Sequence, residues 1–316
     1  MEGVVTKSTG SWYWVRTQNH EIFRCRIPGK FRTRGIKSTN PVTVGDQVDF
    51  ELDDSNEIGL ITSIHERKNY IVRRSVNLSK QTHIIAANID QAFLLITLDH
   101  PVTFPSFIDR FLATAEAYHI ETILLFNKTD LMDEQLEEKK NKLAAIYREI
   151  GYTCLEISAT SGSNVDQVKQ LMIGKTSMFS GHSGVGKSTL INAISPGLNL
   201  KTATISEQHR QGQHTTTFAE MFAIATEPES YIIDTPGIKG FGVVDFTDSE
   251  VGDYFREFFE IKHLCKFNNC LHVNEPKCAV KKALENGKIA ESRYKSYLQI
   301  LAGEEENYRT NVYDGI

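Results

Sequence analysis

Short apolar runs separated by turn residues open the chain. Val15, Ile22, Phe23, Val44, Val48, Phe50, Leu52, Ile58, Leu60, Ile61 and Ile64 are interrupted at Pro28-Gly29, Asn40-Pro41 and Asp53-Asp54. Closely spaced strands of this kind predict a small barrel or sandwich over residues 1–66, and a five-stranded OB-type barrel fits the length. Residues 67–85 are polar and basic and read as a linker, with Arg73 and Arg74 exposed. From 86 to 245 strand-like and helix-like segments alternate, the pattern of an α/β domain with a mostly parallel sheet. Ala92 to Leu98, Thr122 to Phe126, Tyr152 to Ile157, Thr176 to Ser180 and Tyr231 to Ile233 read as strands, and Phe218 to Ala225 as a strand pairing with the last. Ser106 is placed to cap a helix whose Phe107, Ile108, Phe111, Leu112 and Ala115 share one face. Residues 133–150 read as a charged helix that Gly151 ends. Residues 246–316 read as helical apart from a cysteine cluster, with Tyr254, Phe255, Phe258, Phe259 and Ile261 as core.

Charge changes this picture only through its distribution. The net charge is −5, but residues 1–80 hold 13 Lys/Arg against 9 Asp/Glu, which leaves −9 on the remainder. Arg24, Arg26, Lys30, Arg32, Arg34 and Lys37 fall in one stretch without an acid. Such a run is either a solvated loop or a phosphate-contacting surface. No apolar stretch is long enough to span a bilayer and no leader opens the chain, so a cytoplasmic protein is expected, away from membranes and monomeric.

The strongest chemistry lies at Gly181-His182-Ser183-Gly184-Val185-Gly186-Lys187-Ser188-Thr189, which follows a strand and opens a helix. Two outer glycines followed by Lys and Ser make a P-loop. Glycines let backbone N–H groups crowd a phosphate, the helix N-terminus adds partial positive charge, Lys187 reaches the β- and γ-phosphates and Ser188 ligates Mg²⁺. Asp234-Thr235-Pro236-Gly237 ends a later strand, where Asp234 is placed to hold Mg²⁺ and the Gly237 amide to sense the γ-phosphate. Between them Thr215 or Thr216 is the candidate to complete the Mg²⁺ shell and release it after hydrolysis.

Asn127-Lys128-Thr129-Asp130 follows another strand. Guanine offers N1–H and its N2 amine as adjacent donors, which the Asp130 carboxylate accepts together; adenine offers an acceptor and a donor. Asn127 ties this loop to the P-loop, the Lys128 stem covers the base, and a backbone amide at Ser158-Ala159-Thr160 meets the guanine O6. These motifs stand in a rotated order. Ras-like proteins run from P-loop to guanine loop, whereas here 127–130 and 158–160 precede 181–188. A circular permutation follows, possible because domain termini often lie close together. It also lets the segment after Gly237 run directly into the C-terminal region, where nucleotide state can pull through the backbone.

Five cysteines are an odd number, which argues against a closed disulfide framework. Cys265, Cys270, His272 and Cys278 have the spacing C-x₄-C-x-H-x₅-C and fit one structural, tetrahedral Zn²⁺ site. The alternative is a set of buried thiols beside an unrelated histidine.

Taken together, the chain resembles the RsgA (YjeQ/YloQ) family of bacterial circularly permuted GTPases. The marks are Ile85-Ala86-Ala87-Asn88-Ile89-Asp90, the stretch from Gly181 to Thr189, Gly212 to Thr217, Cys270-Leu271-His272 and Glu275-Pro276-Lys277-Cys278. The resemblance implies an OB domain, a permuted P-loop G domain and a zinc domain. It further implies late maturation of the 30S ribosomal subunit, contact with its rRNA, and GTP hydrolysis to GDP stimulated by the subunit. Two departures bear on catalysis. Ile238 stands where Ras-like proteins carry a water-orienting Gln, and Gly242-Val243-Val244-Asp245 lacks the histidine that family members often have. Slow intrinsic hydrolysis is therefore expected, with His214 or the ribosome supplying the missing group. The rival reading is a guanine-nucleotide-dependent RNA-binding switch without catalysis of its own.

Overall fold

The computed structural model describes residues 1–28, 41–53, 57–74, 82–198, 219–224, 227–234 and 247–303. Five strands open it: β1 (Glu2–Ser8), β2 (Tyr13–Thr17), β3 (Ile22–Arg26), β4 (Gln47–Leu52) and β5 (Ile58–Ile64). Their order β1-β2-β3-β5-β4 closes on itself through a β1–β4 pairing, and only β3–β5 is parallel. Closure follows from strict alternation: along β2, Tyr13, Val15 and Thr17 turn inward while Trp14 and Arg16 turn outward. Val5, Tyr13, Val15, Cys25, Val48, Phe50 and Ile61 fill the barrel.

Where the sequence reads only a polar linker, the structure has an antiparallel ribbon, β6 (Tyr70–Arg74) with β7 (Thr82–Ala87). Ile71, Val72, Ile84 and Ile85 supply its β-branched positions, and the charges between them masked that pattern. Asn69 locks the ribbon down: its side chain donates to the Ile89 carbonyl and accepts from the Ile89 amide, both at 2.8 Å.

The α/β unit follows as β8 (Gln91–Ile96), α1 (Pro105–Ala117), β9 (Glu121–Phe126), α2 (Glu134–Glu149), β10 (Thr153–Glu156), α3 (Val165–Met172), β11 (Thr176–Ser180), α4 (Lys187–Ile194), β12 (Glu220–Ile224) and β13 (Ser230–Asp234). Strand order is β10-β9-β8-β11-β13-β12, parallel except for the antiparallel pairing of β12 with β13. Both faces are covered. On β8, Leu94 and Ile96 pack with Ile108, Phe111 and Tyr147, while Phe93 and Leu95 pack with Val168, Leu190 and Ile191. This two-sided burial is why the strands read as continuous apolar runs. Helix α1 starts two residues earlier than its composition suggests. Pro105 takes the first helical position and Phe104 the cap, so Ser106 lies inside the helix.

The C-terminal segment is built from α5 (Asp248–Val251), α6 (Arg256–Phe259), α7 (Ala279–Glu285) and α8 (Glu291–Leu301). Its core of Val251, Phe255, Phe258, Val280, Tyr297 and Ile300 is continuous with Ala113 of α1. No helix among the described residues is long and apolar enough to cross a membrane.

Candidate functional site

The site gathers at the C-terminal edge of the parallel sheet, where strands β9, β11 and β13 end, and the strand order reverses between β8 and β11. After β11 the chain turns through Gly181, at φ +138°, where a Cβ would stand 2.7 Å from the Leu95 carbonyl oxygen. It enters α4 through Gly186, at φ +100°, where a Cβ would stand 2.5 Å from the Asn127 side-chain nitrogen. No larger residue fits either turn. The Lys187 ammonium donates to the carbonyls of Gly181 and His182 at 2.6 and 2.7 Å, so the loop wraps round it. Burial pushes Lys187 down to about 8, against the pull of the Asp234 carboxylate. Asp234 is the last residue of β13, and burial raises its carboxyl in turn, against Lys187. Ser188 and Thr189 follow in the first turn of α4.

Asn127 joins three loops. Its amide nitrogen donates to the Val185 carbonyl at 2.7 Å, and its oxygen accepts from the Ala159 amide at 3.0 Å. Only 1% of Asn127 is exposed, so both bonds are made without competing water. Lys128 sits at φ +65° and heads a short 3₁₀ turn, Thr129–Leu131, that carries Asp130. The Thr129 hydroxyl bonds the Ile157 carbonyl at 3.0 Å, which fixes that turn against the loop of Ser158 and Ala159.

Sequence reasoning missed two supports. The Phe107 ring of α1 packs against His182 with centroids 3.9 Å apart. The Lys128 ammonium is held by the His100 carbonyl at 2.6 Å. Neither carries a motif: both are ordinary residues that folding brings beside the loops. Ser183, Gly184 and Val185 lie on the P-loop as expected, the first two exposed and Val185 buried. His214, Thr215, Thr216 and Gly237 fall outside the described residues, as does Ile238.

In the C-terminal segment, one ligand atom from each of Cys265, Cys270, His272 and Cys278 lies within 4.8 Å of the others. His272 Nδ1 is 3.3 Å from Cys278 Sγ and 3.7 Å from Cys265 Sγ, and the two sulfurs are 3.9 Å apart. A tetrahedral centre with legs of about 2.3 Å to sulfur and 2.0 Å to nitrogen requires edges of this length. The cluster can hold a metal ion. Its surroundings are prearranged: the amides of Ala279 and Lys281 point at the sulfurs of Cys265 and Cys278, at 3.3 and 3.4 Å. Glu275 accepts from the amides of Leu271, Val273 and Asn274, which folds the loop between the ligands. Burial pushes the Cys270 thiol up to about 12, raises Cys278 and lowers His272. A bound cation favours thiolate at the same positions.

Comparison with known proteins agrees with this geometry. Residues 2–61 match the family described as RsgA N-terminal domain, and residues 64–244 match RsgA GTPase. A Christiangramia forsetii protein named small ribosomal subunit biogenesis GTPase RsgA is 64% identical over 316 residues, 99% of each chain. A Flavobacterium johnsoniae protein of the same name is 62% identical, covering 99% of this chain and 96% of its own. The crystal structure of YjeQ from Thermotoga maritima superposes with a TM-score of 0.78 at 35% identity, covering 96% of this chain and 97% of that one. YloQ, described as a circularly permuted GTPase, gives 0.73 at 31% identity, covering 96% and 94%. The chain belongs to the RsgA family of circularly permuted GTPases.

Proposed function

We propose that this chain hydrolyses GTP to GDP and phosphate while acting on the small ribosomal subunit during its maturation, in the cytoplasm and as a monomer. The observation that supports it most directly is Asn127, which binds the guanine-reading loop, the 158–160 loop and the P-loop into one body. The relatives' names supply the ribosomal subunit. In this reading Asp130 accepts from guanine, Lys128 covers the base, and the amides of 181–187 take the phosphates. Lys187 neutralises charge that grows between the β- and γ-phosphates. Ser188, Asp234 and one of Thr215 and Thr216 hold Mg²⁺, which adds electrostatic stabilisation of the transferring phosphoryl group. Gly237 senses the γ-phosphate. Asp130→Asn should erode the preference for GTP over other purine triphosphates by 10²-fold or more, since one carboxylate carries it (about 3 kcal/mol).

GTP turnover of the purified chain, alone and with 30S, 50S or 70S particles, tests the function. Selective stimulation by 30S is expected. Tight GTP binding with no stimulation by any particle would reject it and leave a guanine-nucleotide-dependent RNA-binding switch, which Ile238 in place of a water-orienting Gln favours. His214→Ala that keeps full stimulated turnover removes His214 from the chemistry.

The metal in the Cys₃His cluster is zinc in this reading, since thiolate and imidazole ligands in a closed tetrahedral set suit it. Elemental analysis should give one zinc per chain. A Cys278→Ser variant should lose it and become protease-sensitive between residues 262 and 281.

A further inference from the structure

Between β8 and α1 the chain makes a short loop, Leu98 to Val102, that belongs to neither the phosphate nor the guanine motifs. Two buried threonines close its neck: Thr97 is 1% exposed and Thr103 2%. The Thr103 amide donates to the Thr97 carbonyl at 2.8 Å, and the Thr97 amide donates to the Thr103 hydroxyl oxygen at 3.2 Å. The Thr97 hydroxyl crosses the loop to the Pro101 carbonyl at 2.5 Å. Burial at both threonines keeps water from competing for this clasp.

The clasped loop lies against both halves of the nucleotide site. Pro101 stands beside the P-loop, where a Cβ on Gly184 would lie 3.6 Å from the Pro101 Cδ. Just beyond the loop, the Phe107 ring packs on His182. On the guanine side the His100 carbonyl accepts from the Lys128 ammonium at 2.6 Å. His100 is held at φ +33°, in a region that residues other than glycine seldom enter. Such a conformation persists only where its surroundings impose it. The imidazole of His100 is 92% exposed, so the group that the loop presents to Lys128 is the backbone carbonyl. A free lysine stem loses rotamer freedom when it is laid across a base, and that loss weakens binding. A stem whose ammonium is fastened beforehand loses that freedom on folding instead.

We propose that the Thr97–Thr103 clasp positions Lys128. It aims the His100 carbonyl at the Lys128 ammonium and so fixes the stem that covers guanine, which makes Thr97 and Thr103 determinants of guanine-nucleotide affinity. The clasp rests on the guanine-site reading given under the proposed function.

The test is a double-mutant cycle on the GDP affinity of the full chain, measured by isothermal titration calorimetry. T97V/T103V nearly keeps side-chain size and removes both hydroxyls. It should weaken GDP binding about five- to tenfold, the loss for one long side chain that must be ordered on binding. T97S/T103S restores the hydroxyls and should recover the parent affinity. Without the Lys128 stem the clasp has nothing to hold, so T97V/T103V/K128A should bind GDP as K128A does. A general loosening of the fold would weaken both backgrounds alike. Circular dichroism checks that each variant folds. Should T97V/T103V not fold, T97V alone, which removes only the bond to Pro101, goes through the same cycle with a loss of about threefold. The clasp is overturned if T97V/T103V binds GDP like the parent or if T97S/T103S does not recover. A loss that persists undiminished on K128A also overturns it, because the loop then acts on the P-loop or the fold and not through Lys128. The parent's preference for GDP over ADP is read separately. Guanine-selective binding alongside unchanged variants rejects the clasp and spares the guanine site, whereas no preference for GDP rejects the guanine site and the clasp with it.

Discussion

The barrel and the C-terminal segment are fastened to the nucleotide-binding sheet in opposite ways. The barrel's charged contacts to the sheet lie at the sheet's edge, where β1 meets β12 at the single pair Lys7–Glu220, while its Val44 bridges Ala86 of β7 and packs into the sheet's core. Among the described residues Lys7–Glu220 at 3.1 Å, Arg16–Glu229 at 2.6 Å and the His20–Glu229 contact at 3.4 Å cross that seam, and all five side chains are at least partly exposed. The C-terminal segment instead docks on α1 through a buried charge. Arg293 of α8, 1% exposed, donates to Asp109 of α1 at 2.8 Å and to Glu257 of α6 at 2.7 and 3.0 Å. The Tyr147 hydroxyl of α2 donates to the same Asp109 oxygen at 2.7 Å. Burial raises the Asp109 carboxyl against all of these contacts, while its two carboxylate partners hold Arg293 above its ordinary value despite burial. An exposed pair can open for a fraction of a kcal/mol; a buried one cannot lose a partner without stranding a charge. The difference bears on the expectation that nucleotide state pulls on the C-terminal region through the backbone. Any such pull works against a segment anchored to α1, so α1 and the C-terminal segment should move as one body.

The largest test of this contrast is Asp109→Asn, which takes one of the two buried carboxylates from Arg293 and leaves Glu257, and should cost about 1.5–3 kcal/mol in urea unfolding. A D109L/Y147F/E257M/R293M set, which leaves no member of the network unpaired, should recover most of it, since apolar groups of similar size replace buried ion networks with little loss. If Asp109→Asn costs less than 1 kcal/mol, the two seams are alike and the contrast fails. Next is Arg256→Ala. It removes the 2.6 Å pair with Glu116 of α1 and the guanidinium lying 4.0 Å over the Tyr152 ring. A loss of about 1–2 kcal/mol is expected from a half-buried, stacked pair, measured by the same unfolding curve.

The third probe uses Lys187, a half-buried charge in the nucleotide site with no fixed anion at hydrogen-bond distance among the described residues. Its folded value of about 8 lies below the ordinary 10.5. Above pH 8 the free protein therefore loses this proton while the unfolded chain keeps it, so this group's contribution to stability rises with pH from about 8 to 10.5. Phosphates bring the proton back, so GTP binding above pH 8 must take one up, and affinity should fall toward tenfold per pH unit (about 1.4 kcal/mol). Calorimetry in two buffers of different ionisation enthalpy measures that uptake; none at pH 9 refutes it. Smallest is Glu220→Gln at the barrel seam, expected to cost at most about 0.5 kcal/mol and to vanish in high salt.

How much could be read in advance follows from how local each feature is. The P-loop glycines, Asn127 to Asp130 and the Cys₃His spacing are contiguous stretches whose residue types carry their own chemistry. The strand of β13 and its antiparallel partner were legible from two apolar runs close in sequence. The β6–β7 ribbon was not, because its apolar positions are embedded among charges. Nor was the start of α1, where Pro105 outweighs Ser106.

The sequence by itself determined the barrel's alternation, the doubly covered sheet, the guanine and phosphate loops, and their rotated order. Those depend on residue type and on spacing along the chain. Only the tertiary structure decided which distant residues meet: Asn127 with Val185 and Ala159, Phe107 with His182, Asp109 with Arg293 across 184 positions, and Trp12 with Arg24 and Arg26. An asparagine, an aspartate or a tryptophan looks the same in sequence whether it faces water or a partner. Packing alone removes the water, and with it the ambiguity.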